Sequence, residues 1–157
     1  MKIIVISFGK TTSKPLAELE NEYLKKNSKY SDIELSVIKE PSGHTKSSKA
    51  EQIRDEALLF EKKILQGDLL VVLDEKGKQL DSIQFSSMIQ KTMNSSYKRL
   101  VFIIGGPYGI SETIKSKADK VISLSAMTYT HEMARVIILE QIYRAFNIIN
   151  NTPYHHI

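Results

Sequence analysis

The chain has 157 residues, 41% of them hydrophobic and 25% charged, with a formal net charge of +4. That size suits one domain with a single core, and those proportions exclude a disordered, collagen-like or coiled-coil polypeptide. The absence of cysteine removes disulfides and thiolate chemistry together; the four histidines, His44, His131, His155 and His156, are not at zinc-motif spacing, so no metal is expected.

Lys2 to Ser7 is a short β-branched apolar run that reads as a buried strand, and the apolar core of MKIIVISFGK is too short for a signal peptide. No run approaches the roughly 20 apolar residues a bilayer requires, so a cytoplasmic protein without a membrane partner is expected. Pro15 sits where the first turn of a helix tolerates it, and Leu16, Leu19 and Tyr23 continue at helical spacing to about Asn27. Ile33, Leu35 and Val37 alternate with polar residues as a half-buried strand before Pro41, and PSGHTKS from Pro41 to Ser47 is a polar loop.

Ser48 with Glu51 predicts a capping box, opening a helix whose apolar stripe of Ile53, Ala57, Phe60 and Ile64 ends at Gly67. DLLVVL from Asp68 to Leu73 has the continuous apolar character of a parallel strand covered on both faces, and DEKGKQ from Asp74 to Gln79 reads as the loop after it. Asp81 with Gln84 repeats the capping logic for a helix to Asn94. LVFII from Leu100 to Ile104 is a further buried strand. It is followed by the glycine loop GGPYG, a short helix over Ser111 to Lys117, a minimal strand at Val121-Ile122, and a loop that opens into the longest apolar-periodic segment of the chain, with its apolar girth over Glu132 to Ile149. Strands alternating with helices predict one α/β domain with a largely parallel sheet of about five strands flanked by helices.

That last helix is apolar over more than one stripe, which requires more than one apolar neighbour: its own sheet and a second copy of the chain, or simply a sandwiched position within one protomer. In an open parallel sheet, ligands collect beyond the carboxyl ends of the strands. Three loops emerge there: Leu73 to Lys78, Gly105 to Gly109, and Ser123 to Thr130. Gly105-Gly106 permits close backbone approach and Gly109 a positive φ. Neither G-x-G-x-x-G nor G-x-x-x-x-G-K-[ST] occurs, so GGPYG is a poor phosphate cradle. The Ser123 to Thr130 loop, with small hydroxylic residues beside Leu124 and Met127, suits an adenosine-like ligand or an ordinary polar loop.

VVLDEKGK at Val71 to Lys78, FIIGGPYG at Phe102 to Gly109, LSAMTYTHEMARVIILEQIYRAF at Leu124 to Phe146 and NTPYHH at Asn151 to His156 together resemble the RlmH family (also called YbeA), and ISFGK at Ile6 to Lys10 fits the family's opening strand. These are SPOUT-class methyltransferases acting on a pseudouridine of bacterial 23S rRNA. The resemblance implies a C-terminal trefoil knot, which topology rules alone would not suggest, and a homodimer with sites completed by the neighbour. It also implies S-adenosyl-L-methionine as cofactor, held by Leu73, Gly105, Leu124, Ser125, Ala126, Met127, Thr128 and Tyr129. The implied reaction is methyl transfer to N3 of a pseudouridine, position 1915 in the family, on the large subunit or whole ribosome. Catalysis would come mainly from alignment and desolvation, worth roughly 7 to 11 kcal/mol at best.

Catalytic candidates on this reading are His131, as the titratable group beside the cofactor loop, with Arg135, Arg144 and Tyr154. Arg135 would orient a phosphate or a carbonyl oxygen, and Arg144 either pairs with Glu140 or acts across the dimer. Tyr154 would stack on an extruded base, and His155 and His156 would contact phosphate. Where the family usually has proline before the histidine, this chain has Thr130, a residue suited to cap the helix. Two other readings stay open: a nucleotide-dependent α/β enzyme using GGPYG, and a noncatalytic ribosome-binding dimer.

Overall fold

A computed structural model describes residues 1–41, 43 and 46–154. Five strands, β1 (Lys2–Phe8), β2 (Ile33–Ile38), β3 (Asp68–Gln79), β4 (Arg99–Ile104) and β5 (Lys120–Ser123), alternate with α1 (Lys14–Asn27), α2 (Lys49–Glu61), α3 (Ser82–Met93) and α4 (Glu112–Lys117), and α5 (His131–Ile149) closes the chain. The strands form one sheet in the order β2-β1-β4-β3-β5, every pair parallel.

Alternate strand residues face opposite sides of a sheet, and here both sides are apolar. Ile3, Val5, Leu69, Val71, Leu100 and Phe102 point toward α3 and α5. Ile4, Ile6, Leu70, Val72, Val101 and Ile103 meet Ala57 and Phe60 of α2 and Ile114 of α4. Each such fully buried side chain contributes about 1.5 to 3 kcal/mol. The β1-to-β2 and β3-to-β4 steps run one way along the sheet; β2-to-β3 and β4-to-β5 run the other way, with α2 and α4 on the opposite face. A single handedness of crossover requires that alternation.

The expected caps form. Ser48 Oγ accepts from the Glu51 amide at 3.3 Å while Glu51 returns a carboxylate to the Ser48 amide at 2.8 Å. Asp81 and Gln84 do the same for α3, and Pro15 occupies the first turn of α1. Helix α2, however, stops at Glu61 rather than running to Gly67. Asp68 explains the stop: its carboxylate accepts from the Leu65 amide at 2.8 Å and pairs with Arg99, folding the chain back before another helical turn can form.

The second difference shapes the site. Asp74 to Gln79, expected as a loop, continues β3. After a bulge, Lys78 comes into register with Ile122, the same residue that Leu73 faces before it. Gly77 allows this, because a Cβ there would lie within 3 Å of the Ile122 main chain. Composition alone marks DEKGKQ as a turn; only β5 lying against it makes it strand.

Candidate active site

The bulged part of β3 from Leu73 to Lys76 and the loops after β4 and β5 surround one cavity of about 910 Å³. Leu73, Ile104, Leu124 and Ala134 supply apolar wall, and Lys49, Asp74, Glu75, Lys76, Lys115 and His131 supply charge or titratable groups. Of the residues expected to hold a cofactor, Leu73, Gly105, Leu124, Ser125, Met127, Thr128 and Tyr129 line it. Ala126 does not. Ser123 Oγ donates to the Ser125 carbonyl at 2.7 Å and Ser125 Oγ accepts from the Met127 amide at 2.9 Å, a side-chain-closed turn that leaves Ala126 exposed.

The walls are latched to one another. Thr128 donates to Glu75 at 2.7 Å, joining the β5 loop to β3. Lys115 of α4 pairs with Asp74 at 2.6 Å. Burial works against the charged Asp74 carboxyl, but the bonds from Lys115 and the Lys76 amide outweigh it and hold it below the ordinary carboxylate range. In the glycine loop, Gly109 sits at φ +84°, a conformation that costs glycine nothing. Gly105 and Gly106 are small for the protein's own sake. A Cβ on Gly105 would strike the Ile110 side chain and the Gly109 carbonyl, and one on Gly106 would strike the Glu56 carboxylate, which accepts the Gly106 amide at 3.1 Å.

A family model described as "Predicted SPOUT methyltransferase" matches residues 1–155. The chain belongs to the SPOUT methyltransferase family. It is 47% identical over 156 residues to a Parabacteroides distasonis protein named Ribosomal RNA large subunit methyltransferase H, covering 99% of each chain. A Flavobacterium johnsoniae protein of the same name is 45% identical with the same coverage. Among solved structures, the SpoU methyltransferase AviRb from Streptomyces viridochromogenes, in complex with the cofactor AdoMet, matches 92% of this chain and 57% of its own at 14% identity and a TM-score of 0.43. That likeness is too distant to carry any residue correspondence.

In this SPOUT family member, His131 begins α5 on the cavity wall, and Thr130 is the helix N-cap, its hydroxyl accepting from the Met133 amide at 3.2 Å. Arg135 corrects an expectation. It is 0% exposed; Nε donates to Ser7 Oγ at 2.7 Å, Nη1 to Thr11 Oγ1 at 2.6 Å, and Nη2 to the Phe8 and Gly9 carbonyls at 2.7 and 2.5 Å. Burial pushes its pKa down against the pull of Glu20 and Glu132. The guanidinium thus ties α5 to the end of β1 and has no face left for RNA.

Arg144 and Tyr154 are brought together, but away from the cavity. Arg144 pairs with Glu140 at 2.5 Å and lies 4.9 Å from the Tyr154 ring centre. Tyr154 packs edge-on against Tyr143 at 4.7 Å and donates to Glu140 at 3.2 Å. Burial, with the Tyr23 and Glu140 contacts, pushes its hydroxyl pKa well above the ordinary tyrosine value. Arg144 is 13 positions beyond His131, about 20 Å along the helix at its rise of about 1.5 Å per residue. His155 and His156 lie outside the described residues.

Sequence reasoning did not single out Lys49, Asp74, Glu75 or Lys115 as cavity residues. Asp74 and Glu75 stood in a loop already marked for ligand binding, so their position was the available signal. Lys49 had none: it reaches the site from the start of α2, its ammonium 5.8 Å from the Tyr108 ring centre. The apolar girth of α5 is largely met within one protomer, where α1 and α3 flank it. Among the described residues, no helix is long and apolar enough to cross a membrane.

Proposed function

We propose that this chain transfers a methyl group from S-adenosyl-L-methionine to N3 of a pseudouridine in bacterial 23S rRNA, at the family position, acting as a cytoplasmic homodimer on the large subunit or whole ribosome. The observation that carries the reading is the near-half identity, end to end, with proteins named for methylation of large-subunit rRNA, in a chain where the bulged part of β3 and the loops after β4 and β5 enclose one cavity.

The cavity suits the cofactor chemically. Leu73, Ile104 and Leu124 offer apolar walls to an adenine ring, and the non-ladder backbone of the Leu124 to Thr130 loop offers groups for its edge. Bound there, the cofactor supplies an electrophilic methyl. The chain's own residues then align the target nitrogen and exclude water, effects that together reach several kcal/mol. We assign the imide proton to His131, a reading supported by its place on the cavity wall at the start of α5. We assign the C-terminal segment to a trefoil knot, a reading supported by the way β5 lies against β3 on both sides of the bulge. A dimer is supported by the separation of the Arg144–Tyr154 cluster from the cavity, and by the exposed Leu19 and Met133 on the outer helix layer.

Purified protein with methyl-labelled cofactor, offered large subunits, whole ribosomes or protein-free rRNA, should add one methyl to a single pseudouridine, mapped by mass spectrometry. Methylation of another base, or of none in all three substrates, overturns the reading.

A further inference from the structure

A second concavity, of about 740 Å³, lies between α3 and β5, and β5 is the outermost strand of the sheet. Leu69, Met88 and Ile122 form an apolar floor, and Lys78, Lys91 and Lys120 stand around it with no carboxylate residue among the lining. All three lysines are exposed, and among the described residues none has an ion-pair partner. Some lysines elsewhere are tied to carboxylates, as Lys2 is to Glu34 and Lys117 to Glu61; what marks the groove is that three untied ones surround one apolar floor. Asp81, at the start of α3, is engaged in that helix's cap.

One aromatic ring completes the groove. Tyr97 is 37% exposed and sits on a fixed turn: Ser95 Oγ donates to the Thr92 carbonyl at 2.6 Å and accepts the Tyr97 amide at 3.4 Å. Unpaired cations beside an apolar floor and a presented ring are what unpaired nucleotides require, since phosphates need charge and bases need a flat partner. An acidic peptide would use the lysines but has no need of the ring. The groove also adjoins the active cavity. Lys78 and Ile122 line one, Leu73 and Leu124 the other, so the β3–β5 crossing separates them by a few residues and one strand of RNA can lie across both.

We infer that the α3–β5 groove is a second RNA-binding site that holds an unpaired rRNA segment flanking the target, with Lys78, Lys91 and Lys120 on its phosphates and Tyr97 stacked on a base. This rests on the proposed rRNA substrate. The test uses the full-length protein carrying Lys78→Ala, Lys91→Ala and Lys120→Ala together, with Lys29→Ala, Lys62→Ala and Lys63→Ala as a matched change of charge elsewhere. Binding of a fluorescent single-stranded RNA should weaken about tenfold or more in the first triple variant, and its dependence on log salt should flatten by about two, the loss expected for three phosphate contacts. Tyr97→Ala should weaken binding while Tyr97→Phe retains it. Affinity for S-adenosylhomocysteine should not move, and KM for large subunits should rise with kcat preserved.

Unchanged RNA affinity and salt slope would overturn the inference, as would an equal loss in the matched triple variant or equally strong competition by an acidic peptide. Failure of the two readings is separable. Normal methylation with an unaltered KM in the triple variant removes the groove and keeps the enzyme. A wild-type protein that methylates nothing, yet binds RNA through these lysines, does the reverse.

Discussion

At its first turn α5 is bolted into the cavity wall, whereas three turns on it carries a polar aromatic cluster that touches no part of that cavity. The near end is rigid by construction. Arg135 spends its hydrogen bonds on β1 and the turn after it, and Glu132 reaches Thr12 and Ser13. The far end, Glu140, Arg144 and Tyr154, is half-exposed and contacts its own members and the neighbouring Tyr143 and Tyr23. A residue that must hold a wall still is buried and saturated; one that meets a visiting strand keeps a face open. In the homodimer proposed above, these two ends of one helix, about 20 Å apart at helical rise, are joined when a second copy brings its far end to the first copy's cavity.

The sharpest break of that comparison is complementation. Ser125→Trp places an indole in the cavity, and Arg144→Ala removes the cluster's cation; each homodimer is expected to lose methyl transfer while staying folded. Co-expressed, the two variants should form mixed dimers with one intact composite site, restoring about a quarter of wild-type activity for random pairing of a two-fold dimer. No recovery would mean that each protomer's site is its own. Next comes Gly77→Val, which sets side-chain atoms against the Ile122 main chain. Backbone cannot yield as a flexible side chain does, so the cost should exceed the roughly 1 to 3 kcal/mol of ordinary overpacking. The expected result is insoluble protein; a soluble variant with normal S-adenosylhomocysteine affinity would show that the crossing tolerates separation.

Most of the fold was legible because local signals and packing agree. Ser48–Glu51 and Asp81–Gln84 cap the helices they were expected to cap, and the apolar runs at Ile3, Leu69 and Leu100 became central strands. What escaped was fixed by partners far off in sequence. DEKGKQ is strand only because Ile122 lies against it. Helical spacing set Arg135 on the face of His131, but a long side chain can leave its face, and β1 with the turn after it offered two carbonyls and two hydroxyls. The Gly105-Gly106 pair was legible as a need for smallness, though the occupant is Glu56 and the loop itself rather than a ligand. The cavity loops were found by strand order and motif, while Lys49, arriving from α2, required the structure.

Arg135→Leu tests how firmly the near end is held. Removing the guanidinium leaves the buried Glu20, 3.8 Å from it, with the Thr11 hydroxyl but no cation, and takes a donor from the Phe8 and Gly9 carbonyls. Breaking one side of a buried charged arrangement costs about 3 to 5 kcal/mol, read from the urea midpoint. Arg144→Ala, at a pair that keeps partial exposure, should cost about 1 kcal/mol or less. Equal losses at the two arginines would erase the distinction between a saturated wall and an open cluster.

The smallest effect concerns Glu132, which caps a helix not its own. Ser13, the N-cap of α1, makes no side-chain cap bond. Instead the Glu132 carboxylate accepts the Thr12 amide and hydroxyl, both at 2.9 Å, and the Ser13 amide at 3.2 Å. The Thr12 amide is the main reason its pKa lies below the ordinary carboxylate value, with burial opposing and the Thr12 hydroxyl, Ser13 amide and His131 assisting. Because the folded value is depressed, the stabilisation is present above the unfolded pKa and is lost as pH falls through the folded one. Glu132→Gln should therefore lower Tm at neutral pH by about 1 to 3 °C, the equivalent of a lost cap of roughly 0.5 to 1 kcal/mol. The gap between the two proteins should close in acid, where the wild-type carboxyl is itself protonated. A gap that persists unchanged from neutral pH into acid would show that the bond's shape, and not its charge, fastens α1 to the start of α5.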